Sequence, residues 1–193
     1  MKQTESLNTA TATLSAETLI QQCLKGDTQA YRLLYNRYSQ AMYNTALRIV
    51  NRTDDAEDVL QESFIDAFQQ LARFEGRSTF GAWLKQIVVN KSISYLRKKK
   101  MLLSDLNDGM HEIADETPAD EEGLFFSVDT IKKAVQQLPD GYRTVLSLYL
   151  FEEYKQEEIA AMLNISHGTV RTQYMRAKHK LVNVLKEGAY HEQ

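Results

Sequence analysis

The chain has 193 residues and a formal net charge of −3, enough length for one or two real cores but no global basic field, so any nucleic-acid affinity must be local. Its single cysteine, Cys23, excludes an internal disulfide and fits a reducing compartment. No apolar run reaches membrane-spanning length and the N-terminus lacks an apolar signal core, so a cytoplasmic protein without direct membrane insertion is expected.

Leu, Ala, Gln, Glu and Lys are plentiful and prolines number only two, so an all-α fold is expected. Residues 1–14 are rich in Thr, Ser and Asn and read as a mobile tail. Ser15 can cap a helix that runs to about Lys25, where Gly26 and Asp27 break it. Cys23 lies among Leu19, Ile20 and Leu24, so it reads as a buried thiol rather than a nucleophile. From Thr28, helical spacing through Ala30, Leu33, Leu34, Arg37, Tyr38, Ala41, Met42, Thr45 and Ile49 predicts one long helix. Its tyrosines (Tyr31, Tyr35, Tyr38, Tyr43) invite a base-stacking reading, but their spacing favours packing.

Thr53 or Asp54 can cap the next helix, which is expected to reach about Leu71 on a face of Ala56, Val59, Leu60, Ser63, Phe64, Ala67, Phe68 and Leu71. Asp54, Asp58, Glu62 and Asp66 recur every fourth residue as a row of carboxylates. Such a row repels itself by a few tenths of a kcal/mol per pair. It is either a solvated face or a docking surface for a basic partner. A metal site, or an enzyme built on these carboxylates, fits less well: His111, His167, His179 and His191 all lie elsewhere, so no Glu-x-x-His pair forms.

Arg73 to Trp83 reads as a loop turned by Glu75-Gly76, with Ser78 or Thr79 capping the helix that follows. That helix carries Phe80, Trp83, Leu84, Ile87 and Val88, with Lys85, Asn90, Lys91 and the run Arg97 to Lys100 as its polar part. An aromatic loop beside a cationic helix can grip unpaired nucleic acid; Phe80 and Trp83 can equally fill a core. From Met101 to Ile131 there is no Lys or Arg and many acids, which reads as an extended acidic linker, 101–127, joining two small helical domains, 15–100 and 128–187. Val128 to Leu138 is predicted as a helix stopped by Pro139-Asp140-Gly141, and Tyr142 to Phe151 as the next. A tail over 188–193 is expected to fray.

The most informative stretch is Tyr154 to Leu181. Ile159, Ala160 and Leu163 mark a short helix; Asn164 tolerates the left-handed turn after it; Ser166 can cap the next helix. Val170, Tyr174, Ala177 and Leu181 form one apolar face, and Thr169, Arg171, Thr172, Gln173, Arg176, Lys178 and Lys180 lie between them without an acid. Two short helices, a brief turn and a basic polar second face make a helix-turn-helix, whose second helix suits the major groove. The plainer alternative is a helical hairpin with a solvated basic face. A stand-alone regulator would bind a palindrome as a dimer, but such a protein needs no cationic aromatic loop.

Three motifs carry a family resemblance: DDAEDVLQESFIDAF (Asp54 to Phe68), RFEGRSTFGAWLKQIVVNKSISYLR (Arg73 to Arg97) and LPDGYRTVLSLYLFEEYKQEEIAAMLNISHGTVRTQYMRAKHKL (Leu138 to Leu181). In this order the chain resembles bacterial RNA polymerase sigma factors of the extracytoplasmic-function group. The resemblance implies a region 2-like and a region 4-like domain and a non-enzymatic role: binding core RNA polymerase, recognising promoter −10 and −35 elements, and opening the DNA. It implies that Asp55, Asp58, Gln61 and Glu62 meet the clamp helices of the largest polymerase subunit. It implies that Phe74, Arg77, Ser78 and Thr79 of the loop, with Lys85, Asn90 and Lys91 of the following helix, contact the −10 element. Ser166, Thr169, Arg171, Thr172, Met175, Arg176 and Lys180 are matched to the −35 element. No cofactor and no metal is implied; an anti-sigma factor is a further partner the family often uses. The chain departs from the pattern at Glu153-Tyr154-Lys155, where relatives often carry Gly-x-Ser, and at Asn164, where a turn glycine is usual. Lys155 cannot cap a helix as Ser would, a loss of about 1 kcal/mol.

Overall fold

The structure is a computed structural model that describes residues 14–99 and 126–191, with side chains to residue 187. The expected tail 1–14 and acidic linker 101–127 therefore lie almost wholly outside the described residues. Within them every regular element is helical: α1 (Ala16–Leu24), α2 (Thr28–Val50), α3 (Thr53–Gln69), a 3-10 turn (Leu71–Arg73), α4 (Phe80–Lys98), α5 (Val128–Gln136), α6 (Asp140–Leu150), α7 (Gln156–Leu163) and α8 (His167–His191).

Local chemistry sets most of these ends. Ser15 Oγ accepts from Thr18 N at 3.2 Å to start α1, and Asp27 Oδ1 accepts from Gln29 N at 2.8 Å to start α2. Between them Gly26 takes φ 88°, a left-handed turn that glycine adopts without steric cost. Thr79, not Ser78, caps α4, its Oγ1 accepting from Ala82 N at 3.2 Å. Two ends differ from expectation. The Pro139-Asp140-Gly141 stop is also a start: α6 begins at Asp140 with Pro139 at its cap position, where the Pro139 carbonyl accepts from Arg143 N at 2.9 Å and opens the helix. At the C-terminus α8 continues to His191, past the expected fraying point at Gly188.

The chain separates into two compact units, Met1–Ala46 with Thr53–Lys91, and Leu47–Arg52 with Ser92–Gln193. The first is built on the apolar stripes of its helices. Leu19, Ile20, Cys23, Leu34, Met42, Val59, Phe64, Leu71, Phe80, Leu84 and Val88 are buried. Truncating one such leucine to alanine costs about 2–5 kcal/mol. Aromatic rings join the helices: Tyr31 meets Phe68 at 4.9 Å, Tyr35 meets Phe64 at 4.7 Å and Tyr38 meets Phe80 at 5.2 Å between centroids. Tyr31, Tyr35 and Tyr38 of α2 thus pack on neighbouring rings, as their spacing favours. Cys23 is 1% exposed, and burial, then the Asp27 carboxylate, pushes its thiol up to about 11, which leaves no thiolate at neutral pH.

The second unit packs Ala134, Val135, Leu138, Leu146, Ala177, Leu181 and Leu185 into one cluster drawn from α5, the turn after it, α6 and α8. Arg143 is buried here and held by Asp140 and by the Leu138 carbonyl at 2.9 Å. In the same unit Arg48 donates from Nε to Glu152 Oε1 at 3.0 Å, which compensates a carboxylate that is otherwise buried.

Candidate nucleic-acid interface

The second unit displays the helix-turn-helix. At the end of α7, Asn164 adopts φ 56°, ψ 46°, and Ile165 N donates to Ala160 O at 3.1 Å, closing the helix in a Schellman-type turn. Asn tolerates this conformation better than other non-glycine residues, which explains why the missing turn glycine is a mild departure. Ser166 Oγ then accepts from Thr169 N at 3.0 Å and lies 2.8 Å from Thr169 Oγ1, starting α8. Both hydroxyls expected near phosphate thus also organise the helix start.

Along α8, Val170 and Ala177 are fully buried and Leu181 nearly so, as their spacing predicts. Arg171, Thr172, Met175, Lys178 and Lys180 are exposed, and Thr169 and Arg176 half-buried. Gln173 departs from the sequence reading. It was placed on the polar face, yet it is 2% exposed and its Oε1 has no hydrogen-bond partner. One position after Thr172, the helix turns it about 100° toward the core. It reads no base edge from there. Thr172 is exposed, but its Oγ1 donates to Gly168 O at 3.0 Å, so its proton is spent inside the helix.

The first unit carries the aromatic loop. Gly76 turns it with φ 69°, and Phe74 packs on Trp83 at 5.2 Å and on Phe80 at 5.9 Å. Phe80 is buried and Trp83 half-buried, so both contribute to packing. Arg77 Nε pairs with Glu75 Oε2 at 2.6 Å, with both side chains well exposed. A surface pair of this kind contributes about 0–1 kcal/mol, so the guanidinium can change partners cheaply. Ser78, Thr79 and Asn90 are exposed and Lys85 half-buried.

Lys91 joins two sets of expected residues. Its Nζ lies 2.9 Å from Asp66 Oδ2 and 3.3 Å from Glu62 Oε2, so an expected DNA contact is paired with an expected docking residue. The hydrogen bond to Asp66 is the main cause that holds its ammonium above the ordinary lysine range. The pairing also explains how α3 tolerates its acidic row: a cation from α4 sits against the pair that no helix N-terminus helps.

On the rest of α3, Asp58, Gln61 and Glu62 are exposed, whereas Asp55 is buried at 8% exposure. Two features of this surface were not read from the sequence. Ile65 is 55% exposed among the acids, and Tyr35, Ser39, Gln40, Tyr43, Glu57, Leu60 and Gln61 line an open groove of about 280 Å³. Ile65 falls off the apolar register of α3, which was the available signal; the groove needs two helices and left none. Among the described residues no three His, Cys, Asp or Glu side chains converge as a metal site would require, and no helix is long and apolar enough to cross a membrane.

A two-unit, all-helical chain with a helix-turn-helix in one unit and an aromatic, partly cationic loop in the other matches known proteins over nearly its whole length. The sigma-70 region 2 family model matches residues 34–101 and the sigma-70 region 4 model residues 129–181. The chain is similar to the RNA polymerase sigma-H factor of Pseudomonas aeruginosa, at 31% identity over 86% of this chain and 92% of that protein. It is also similar to the ECF RNA polymerase sigma factor SigW of Bacillus subtilis, at 32% identity over 87% of this chain and 95% of that protein. Among solved structures it resembles the sigma factor RpoE of Bartonella quintana in complex with the anti-sigma factor NepR, at a TM-score of 0.52 and 25% identity, over 82% of this chain and 98% of that one. The chain belongs to the extracytoplasmic-function group of the sigma-70 family. Its function is accordingly promoter-specific initiation of transcription, and its family consists of DNA-binding regulators rather than enzymes.

Proposed function

We propose that the two units divide this work between docking, opening and recognition. The domain over 15–100 carries docking and the −10 element; the domain over 128–187 carries the −35 element. Asp58, Gln61 and Glu62 on α3 meet the clamp helices of core RNA polymerase, with Asp55 supporting them from beneath. Phe74, Arg77, Ser78 and Thr79 receive an extruded base of the −10 element, and Lys85, Asn90 and Lys91 follow the opened strand. Extrusion costs a few kcal/mol, which stacking and cationic contacts offset. Arg171, Thr172, Met175 and Arg176 face the major groove at the −35 element; Ser166, Thr169 and Lys180 hold its phosphates. The protein has no catalytic centre of its own, requires no cofactor and works in the cytoplasm. Because the similar Bartonella protein is held by an anti-sigma factor, a cognate inhibitor that masks these surfaces is part of the reading.

The observation that carries this is the Ser166-capped helix α8, whose exposed Arg171, Thr172 and Met175 stand on one side of a buried Val170–Ala177–Leu181 stripe. The test is reconstitution with bacterial core RNA polymerase and run-off transcription on fragments of the source genome. Discrete start sites that need the chain are expected. Arg171→Ala and Arg176→Ala should each lower initiation about tenfold or more, the size of one lost arginine–base contact. Unchanged initiation in both variants would remove α8 as the reading helix.

A further inference from the structure

The outward side of α8 carries a weakly polar strip within its cationic surface. Gly168, Thr172 and Met175 stand four and three residues apart, so they lie one above another along the helix. All three are exposed, Met175 at 60%, with Arg171 beside them.

Two features of the strip bear on what it can contact. At Gly168 an added Cβ would meet only Ser166 Oγ, at an ordinary 3.7 Å, and the backbone is not left-handed. Alanine would therefore fit there and favour the helix. A glycine that neither backbone nor packing demands leaves clearance on the outer surface for another molecule's close approach. Thr172 gives its hydroxyl proton to Gly168 O, so the hydroxyl is spent as a donor and, of its two γ groups, the methyl is the one with no hydrogen-bonding role. With Met175 three residues on, that makes two apolar groups side by side where a base reader would otherwise place donors. The major-groove edges of the bases carry one apolar group, the C5-methyl of thymine.

We propose that Gly168, Thr172 and Met175 form a thymine-methyl reader. The Met175 thioether and the Thr172 methyl pack against the C5-methyl of a thymine in the upstream promoter element, and Gly168 lets the start of α8 close on the groove. The inference rests on the promoter reading above and assigns a base chemistry to part of it.

The test uses the complete chain with core RNA polymerase and promoter fragments recovered by the run-off assay. Each upstream-element thymine is replaced in turn by uracil, which lacks only the 5-methyl group. At one or two positions uracil should lower initiation about three- to fivefold, the size of one methyl group returned to water. Met175→Ala should lower initiation on the natural fragment by a similar factor, and uracil at the same position should then have no further effect. Gly168→Ala should raise the melting temperature while it lowers initiation. The methyl reader is overturned if no upstream thymine is methyl-sensitive, or if uracil costs the same with Met175→Ala as without it. Full initiation by Gly168→Ala would overturn the clearance. If the chain directs no discrete start sites at all, the promoter reading itself fails; promoter-specific initiation that ignores uracil removes only the methyl reader.

Discussion

Glu153 stands in the turn that leads into the helix-turn-helix with φ 63°, a left-handed conformation that costs a residue with a Cβ about 1–2 kcal/mol. This is the place where the family pattern leads one to expect glycine, and the strain of a left-handed φ is what glycine would relieve. Its side chain is exposed, so nothing buried is lost on removing it. Glu153→Gly should stabilise the chain by about 1 kcal/mol, read as a higher midpoint in thermal or urea unfolding. An unchanged or lower midpoint would mean that the Glu153 side chain offsets its own strain. Two positions on, Lys155 has no acceptor with which to cap α7, yet the expected loss is partly recovered. Glu158 Oε2 reaches back to accept from Lys155 N at 2.7 Å, making half of a capping box. The strain at Glu153 was hidden from the sequence because no residue type announces φ; the Glu158 contact was visible as a carboxylate at the third helical position.

At the scale of elements, α3 shows how far a pattern read from spacing can go. The four-residue repeat of carboxylates was legible, but docking and solvation both fitted it, with metal binding a weaker third reading. The structure separates its members: Asp66 and Glu62 are engaged by Lys91, whereas Asp54 and Asp58 stay exposed; Asp55, next to the row, is buried. That makes Asp58→Lys the informative change. It alters no buried contact, so secondary structure and melting temperature should stay close to those of the natural chain. Affinity for core RNA polymerase should fall about tenfold or more, because a charge reversal opposes a complementary surface. Size-exclusion or anisotropy measurements of assembly would check it, and normal assembly would move the docking face off α3. Helix α8 gives the complementary lesson. Its buried face followed from periodicity, but Gln173 did not, since a polar residue adjacent to a polar face reads as part of it until packing is known.

For the molecule as a whole, net charge sets the expectation. A chain at −3 with few phosphate contacts should bind promoter DNA weakly by itself. Held on polymerase, its two recognition surfaces engage one duplex together, and linked sites gain about 10²–10⁴ in apparent affinity. Fluorescence anisotropy on a promoter duplex, with and without core RNA polymerase, should therefore differ by at least about a hundredfold. Tight, specific binding by the chain alone would favour a stand-alone regulator instead.

What the sequence by itself determined is what depends on near neighbours in the chain. Helical periodicity, the caps at Ser15 and Ser166, the left-handed turn at Asn164 and the three family motifs are all local signals, and each is found where it was read. What only the tertiary structure decided depends on residues far apart: Lys91 meeting Asp66 and Glu62, the burial of Asp55 and Gln173, and the groove between Tyr35 and Gln61. The physical reason is that spacing defines which residues share a face of one helix, whereas exposure and pairing are set by what a second helix brings to that face.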